Sequence, residues 1–286
     1  RAREVSWNFF LNKKMAQLLI DSWRGDCEDV DAASAFADVR SLDDCDAVNA
    51  ALAAAADALG GLAGYKLGWK GSFAERAALW APLFNIGVMK SGASVSLREH
   101  KIFCAEAEFG FVLACRLEPR ADKAYTAEEV WSAVDHVELC VELCGLRQHA
   151  SSERLHYVAD ALCGACVVRG PSIGGPADDL DFAALASVDV RMHVAGVEIS
   201  SGTAVNNPLD SPLASLTFLV NDLCVRLGRP LEAGALVIAG HCCQAAFAGR
   251  PRPPFVTTLP EAEFASGDTV RAVFEGLGEC GVTLLD

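Results

Sequence analysis

Residues Ala105-Glu106-Ala107-Glu108-Phe109-Gly110-Phe111-Val112-Leu113 set two carboxylates inside an apolar run. The apolar context predicts a buried strand. Side chains on a strand alternate faces, so Glu106 and Glu108 project the same way, about 7 Å apart along the backbone. Two carboxylates on one buried face are costly unless their charge is compensated. A hard divalent cation, Mg²⁺, Mn²⁺ or Ca²⁺, is the simplest compensation, because such ions take carboxylate oxygens. The chemistry then needs a third ligand and a group that moves protons.

The segment Val137-Glu-Leu-Cys-Val-Glu-Leu-Cys144 offers the ligand. As a strand it places Glu138, Cys140, Glu142 and Cys144 on one face, so that one or two further acids converge on the first pair. A helix presents them differently, and periodicity admits both. Lys66, in the apolar stretch Gly64-Tyr-Lys-Leu-Gly-Trp69, has two readings. It is either a surface charge whose stem lies along apolar surface, or a proton carrier tuned by burial against nearby acids. His100, His136, His149, His156 and His193 have no ligand spacing, which argues against a histidine zinc site.

The elements that must position these groups fall into two parts. Residues 1–14 read as a leader or disordered segment ahead of Met15. Residues 15–63 read as a helical N-terminal portion, with helices over Met15–Trp23 and Leu42–Leu59, the second capped by Ser41 or Asp43. Residues 64–286 read as the catalytic body. Its short β-type runs are Gly64–Gly68, Ser94–Leu97, Cys104–Leu113, Val137–Cys144, Leu162–Arg169, Val188–Val194, Val197–Ser200, Leu236–Ala239, Thr269–Phe274 and Cys280–Leu284. Ala195-Gly196 reads as a tight hairpin. A capping box at Thr126-Ala-Glu-Glu129 opens a helix to about Asp135, and Pro212–Leu227 is a second helix closed by Gly228. Many strands with few helices predict an α+β or mainly β body. Gly249–Phe264, rich in Pro, Arg and Thr, reads as an exposed loop or lid.

The 286 residues are 52% hydrophobic, enough for a large core, and carry a net charge of −14, which argues against a nucleic-acid or polybasic membrane partner. Twelve irregularly spaced cysteines predict buried thiols in a reducing, cytoplasmic setting rather than a disulfide framework. Cys163-Gly-Ala-Cys166 matches a redox spacing but sits in an apolar strand-like run.

Several segments resemble one family. Gly64-Tyr65-Lys66-Leu67-Gly68, Glu106-Ala107-Glu108 with Phe111-Val112-Leu113, and Val141-Glu142-Leu143-Cys144-Gly145-Leu146-Arg147 are similar to the 2-hydroxypenta-2,4-dienoate (2-keto-4-pentenoate) hydratases of the fumarylacetoacetate hydrolase superfamily, relatives of the 4-oxalocrotonate decarboxylases. Val158-Ala-Asp160, Ser200-Ser-Gly202, Leu227-Gly-Arg-Pro-Leu231, Gly267-Asp268 and Glu275-Gly-Leu-Gly278 follow in family order, so the similarity runs from about Met15 to the C-terminus. The resemblance implies a mixed β-barrel-like, fumarylacetoacetase-type α+β fold with a small helical N-terminal portion, and a homo-oligomer. It implies Glu106, Glu108 and Glu142 as ligands of Mg²⁺ or Mn²⁺, and Lys66 as the catalytic lysine. Phe84, Arg147, Asp160 and His241 are the candidate substrate-binding residues.

Departures from the pattern surround this centre. Leu79-Trp-Ala-Pro82 lacks the acid that precedes the family's L-F pair, here Leu83-Phe84. Ala159-Asp160-Ala161-Leu162-Cys163 loses polar groups, a T-G turn reads Ala239-Gly240, and glycine-histidine becomes Asp210-Ser211. They point to a changed substrate, a changed reaction or lost activity. The reading is a metal-dependent hydratase or lyase on a small 2-hydroxydienoate or 2-oxo acid, in which the cation is a Lewis acid and Lys66 shuttles protons. The alternatives are a 2-oxo acid decarboxylase, an acylpyruvate-type C–C hydrolase, or a degenerate binding or assembly subunit.

Overall fold

The computed structural model describes residues 2–286 apart from 28–29, 69–75, 149–150, 255 and 257, and only the backbone of residues 2–11. Trp69, His149 and most of the expected leader, residues 1–14, therefore lie outside the residues whose side chains are described.

The strands in chain order are β1 Leu62–Gly68, β2 Leu79–Phe84, β3 Val88–Lys90, β4 Ser94–Ser96, β5 Ile102–Leu113, β6 Val134–Gly145, β7 Gly164–Ser172, β8 Val190–Val194, β9 Val197–Gly202, β10 Leu236–Phe247, β11 Glu261–Ala262, β12 Thr269–Phe274 and β13 Gly278–Leu285. The helices are α1 Ala2–Arg24, α2 Ala32–Ala35, α3 Leu42–Ala54, α4 Ala127–Ser132, α5 Arg154–Ala159, α6 Phe182–Leu185 and α7 Pro212–Asn221. No helix among the described residues is long and apolar enough to cross a membrane.

A large mixed sheet has the order β2-β1-β10-β5-β6-β7-β3, with β11 beside β10, and a smaller sheet has the order β4-β13-β12-β8-β9. The two pack on a shared core in which alternate residues of β5 and β6, Ala105, Ala107, Phe109 and Phe111 with Val137, Leu139, Val141 and Leu143, face the smaller sheet. Phe109 meets Phe274 of β12 edge-on, their centroids 5.1 Å apart. On the other face of the large sheet, Cys140, Val112 and Ile238 form one apolar cluster and Cys104, Cys144 and Ala246 another. Glu106, Glu108 and Glu142 lie on that face between the two clusters. α1 and α3 form a separate core with β2 and the end of α5.

The strand readings agree with the structure in most of their extent, and the differences have local causes. β2 was not foreseen because Pro82 interrupts its apolar run. It is an edge strand, where a missing N–H is tolerated. β10 runs past Ala239 to Phe247, because Gly240 at φ 98° carries the chain through a bulge instead of ending it. The capping box of α4 forms between Thr126 and Glu129, but the helix stops at Ser132 because β6 begins at Val134. The helix from Pro212 ends at Asn221 and continues as a wider turn to Arg226. Ala195-Gly196 joins β8 to β9, both residues at positive φ.

β1 lies against β10 so tightly at Gly64 that a Cβ there would sit 1.8 Å from the Leu236 carbonyl oxygen, and the residue has φ +153°. Gly64→Ala is expected to lower the unfolding free energy by about 2–4 kcal/mol through strain and overpacking together. A chemical-denaturation midpoint equal to that of wild type would contradict this close approach.

Candidate metal centre

The antiparallel register of β5 and β6 sets Glu106 directly opposite Glu142 and Glu108 opposite Cys140. Cross-strand neighbours lie about 4.5–5.5 Å apart at Cβ, so pairing alone brings two acids together and the strand repeat adds the third. Oxygens of Glu106, Glu108 and Glu142 all lie within 4.8 Å of one another. Glu108 and Glu142 are completely buried, and Glu106 is partly open to the cavity described below.

Lys66 reaches this group from β1, three strand positions from β6. On a flat sheet that is roughly 14 Å, at about 4.8 Å per step, with side chains standing perpendicular. The sheet curls, and the Lys66 ammonium forms an ion pair with Glu142. Its second bond goes to the Leu162 carbonyl at 3.0 Å. Ala161, Leu162 and Cys163 all hold positive φ, at 45°, 52° and 59°, an unusual run for side-chain-bearing residues. The sequence reading placed Leu162 in a strand; the left-handed turn instead aims its carbonyl at Lys66. On the opposite side the bulge in β10 turns the Gly240 N–H toward Glu108, a bond of 2.8 Å. Asn207 holds the bulge by donating to the carbonyls of Gly240 and His241.

Burial works against the Lys66 ammonium, but Glu142, with Cys144, Glu106 and Glu108, outweighs it and raises its pKa. Burial raises the Glu108 carboxyl well above its ordinary range, and the neighbouring Glu142 and Glu106 add to this against Lys66 and the Gly240 N–H. Glu142 is also raised, by burial first, with Lys66 opposing. One ammonium among three carboxylates leaves two negative charges when all are ionised. Oε1 of Glu108 and Oε2 of Glu142 have no hydrogen-bond partner among the described residues. Unpartnered buried oxygens, hard donors and a residual charge of two together fit one hard divalent cation.

The remaining candidates separate. His241 is the cross-strand neighbour of Glu108, with its Nδ1 4.0 Å from Glu106, and it lines the cavity. Arg147 and Asp160 face one another: Nε to Oδ1 is 2.5 Å, the Arg147 N–H donates to Oδ2 at 3.0 Å, and the guanidinium lies 3.8 Å from the Trp23 ring. Both are buried, and neither lines the cavity. Burial raises the Asp160 carboxyl against the pull of Arg147. Phe84 packs edge-on against Trp23 in the helical core, with a centroid distance of 5.1 Å. Glu138 shares the face of Glu142 but is held by Arg169 at 2.6 Å and His136 at 3.0 Å, away from the triad.

A cavity of about 500 Å³ opens onto Lys66, Glu106 and His241. Pro253, Val256, Thr258 and Leu259 of the segment read as a lid form part of its wall. Arg154, Gln244 and Asn206 also line it, and nothing in the sequence singled them out. For Gln244 a signal existed: it pairs with Glu106 across β5 and β10, but β10 was cut short at Ala239.

No family model matches the chain. It is 32% identical over 136 residues to the 2-keto-4-pentenoate hydratase of Paraburkholderia xenovorans strain LB400 and, with the same figures, to 2-keto-4-pentenoate hydratase 3 of Pseudomonas putida. The match covers 47% of this chain and 47% of each relative, so the chain spans about half the length of the curated relatives it matches. The 4-oxalocrotonate decarboxylase of Pseudomonas putida G7, complexed with magnesium and adipate, superposes with a TM-score of 0.76 at 20% identity over 98% of both chains. The fumarylacetoacetate hydrolase of Exiguobacterium antarcticum gives a TM-score of 0.51 at 14% identity over 78% of this chain and 77% of that one. The chain thus shares its fold with the 4-oxalocrotonate decarboxylase and the fumarylacetoacetate hydrolase structures, and about half of its sequence is similar to the 2-keto-4-pentenoate hydratases.

Proposed function

We propose that this chain is a divalent-cation-dependent hydro-lyase acting on a small 2-hydroxydienoate or 2-oxo acid. The observation that carries the reading is the convergence of Glu106, Glu108 and Glu142, two of them with unpartnered oxygens, beside a buried lysine at the end of a cavity. Glu106, Glu108 and Glu142 would hold the cation, Mg²⁺ or Mn²⁺. When bound, it supplies Lewis-acid polarisation of substrate oxygens.

The chain's own residues do the rest. Without the cation the neighbouring carboxylates favour the protonated Lys66, and during enol–keto tautomerisation Nζ would donate a proton to carbon and take up the one released by the enol hydroxyl, the Leu162 carbonyl fixing its direction. The Gly240 N–H keeps Glu108 aimed inward. Arg147 and Asp160 serve the substrate site by holding the 161–163 turn, and Phe84 by packing the helical cap against it. His241 and Gln244 give the cavity polar contacts near Glu106. The helical portion, residues 15–63, covers the catalytic body, residues 64–286. Homo-oligomeric assembly, which rests on the family resemblance of the sequence, and a cytoplasmic location, which rests on its irregularly spaced cysteines, complete the reading.

Decarboxylation or C–C hydrolysis of a 2-oxo acid would use the same groups, so a substrate panel decides among them. Wild-type protein is expected to turn over one member of a panel of 2-hydroxydienoates and 2-oxo acids with Mg²⁺ and to stop on chelation. Lys66→Ala should lower kcat by about 10²–10⁴-fold while Mg²⁺ binding persists. Metal binding without turnover of any panel member would favour the binding-subunit alternative.

The charge arrangement also sets a pH dependence without metal. The folded pKa of Glu108 lies well above its ordinary value of 4.5. Its contribution to stability is complete below that ordinary value. It is lost as pH rises through the folded value, because the unfolded chain has released a proton the folded one still holds. Chelated wild type should therefore lose stability relative to Glu108→Gln as pH rises above the ordinary value of 4.5, and Mg²⁺ should restore it increasingly over the same rise. Thermal denaturation in chelator and in Mg²⁺ measures both. A wild type that gains on the variant with rising pH would refute the buried-charge account.

A further inference from the structure

Beside the three carboxylates lies a second set of donors of different chemistry. Cys104 of β5 and Cys144 of β6 are direct cross-strand partners, two residues from Glu106 and Glu142 on the same face. Their sulfurs and a carboxylate oxygen of Glu106 all lie within 4.8 Å of one another. Both thiols are nearly inaccessible from outside, at 1% and 4% exposure, yet both line the cavity, as does Glu106. Other buried thiols are engaged elsewhere: Cys45, Cys224 and Cys280 direct their sulfurs to backbone carbonyls. Cys104 and Cys144 interact with each other.

We propose that Cys104, Cys144 and Glu106 form a binding site for a thiophilic divalent cation of the zinc class, distinct from the three-carboxylate site and sharing Glu106 with it. Two thiolates and one carboxylate are a donor set that selects borderline and soft ions over magnesium. Tetrahedral zinc bonds of about 2.0–2.3 Å place ligand atoms roughly 3.3–3.8 Å apart, so side-chain rotation closes the present spacing without moving either strand. The cavity leaves the fourth position to solvent or a small ligand. Binding forms two metal–sulfur bonds and one metal–oxygen bond, and releases the two thiol protons to water. Because Glu106 serves both sites, an ion held here draws one donor from the carboxylate group. The inference concerns binding alone and stands whether or not the proposed activity is found.

Cadmium is the probe, because its bonds to sulfur give an ultraviolet charge-transfer absorption. Reduced, chelator-stripped full-length protein titrated with Cd²⁺ should show this absorption saturating at one equivalent, and Zn²⁺ should displace it. Cys104→Ser and Cys144→Ser should each weaken Cd²⁺ binding at least about tenfold. Glu108→Gln, which damages only the carboxylate site, should leave the absorption in place, and exposed Cys115→Ser serves as the control. An unfolded variant cannot mislead, because wild type is also tested by alkylation with iodoacetamide and peptide mass mapping. There Cd²⁺ should protect Cys104 and Cys144 but not Cys115. Persistence of the absorption in the double serine variant, its loss in Glu108→Gln, or equal alkylation of Cys104 and Cys144 with and without Cd²⁺ would each overturn the site.

Discussion

Three carboxylates and one ammonium are confined to the covered face of a sheet, between two apolar clusters, and much of the surrounding architecture answers their electrostatic demand. Buried charges need partners, and removing one member of such a pair leaves the other uncompensated at a cost of about 3–5 kcal/mol. The chain supplies partners by three devices. Sheet curl carries Lys66 to Glu142, the bulge in β10 turns the Gly240 N–H to Glu108, and the left-handed turn at 161–163 turns the Leu162 carbonyl to Lys66. The bulge and the turn are irregular backbone, held by Asn207 and by the Arg147–Asp160 pair.

The most costly of these is the turn. Three consecutive side-chain-bearing residues at positive φ persist only where surrounding bonds over-determine them. Here Asp160 and Arg147 provide the bonds. The Asp160 carbonyl accepts from both the Cys163 N–H and the Arg147 guanidinium, and its carboxylate takes the Arg147 backbone N–H and Nε. Strain at the turn is thus balanced by a buried ion pair between Asp160, which opens the turn, and Arg147, which follows β6. The lysine's direction depends on residues it does not touch.

Around this centre the cavity walls combine polar groups and sulfurs. Glu106, His241 and Gln244 line it together with Cys104, Cys144 and Cys163, and the Cys104 and Cys144 sulfurs lie within 4.8 Å of a Glu106 oxygen. After Asp160 this chain has the apolar Ala161 and Leu162 and the thiol of Cys163. The charged centre and its surroundings are therefore separable features: strand pairing imposes the first, and local side-chain choice sets the second.

The sequence by itself determined the alternation that puts Glu106 with Glu108, because a two-residue repeat in a buried strand admits one face for both, whereas Glu142 and Cys144 share a face only because the structure makes residues 134–145 a strand. It also determined the capping box at Thr126, the hairpin at Ala195-Gly196 and most strands of the two sheets, since these are local signals. Tertiary structure decided which acids meet. Glu138 and Glu142 share a face, yet register places Glu142 against Glu106 and leaves Glu138 to Arg169. Tertiary structure likewise turned Arg147 and Asp160 toward each other, placed Phe84 in the helical core, and extended β10 so that Gln244 faces Glu106. These outcomes depend on strand register, sheet curl and backbone at positive φ. Such long-range geometry is set by contacts between residues far apart in the chain, and no local pattern encodes it.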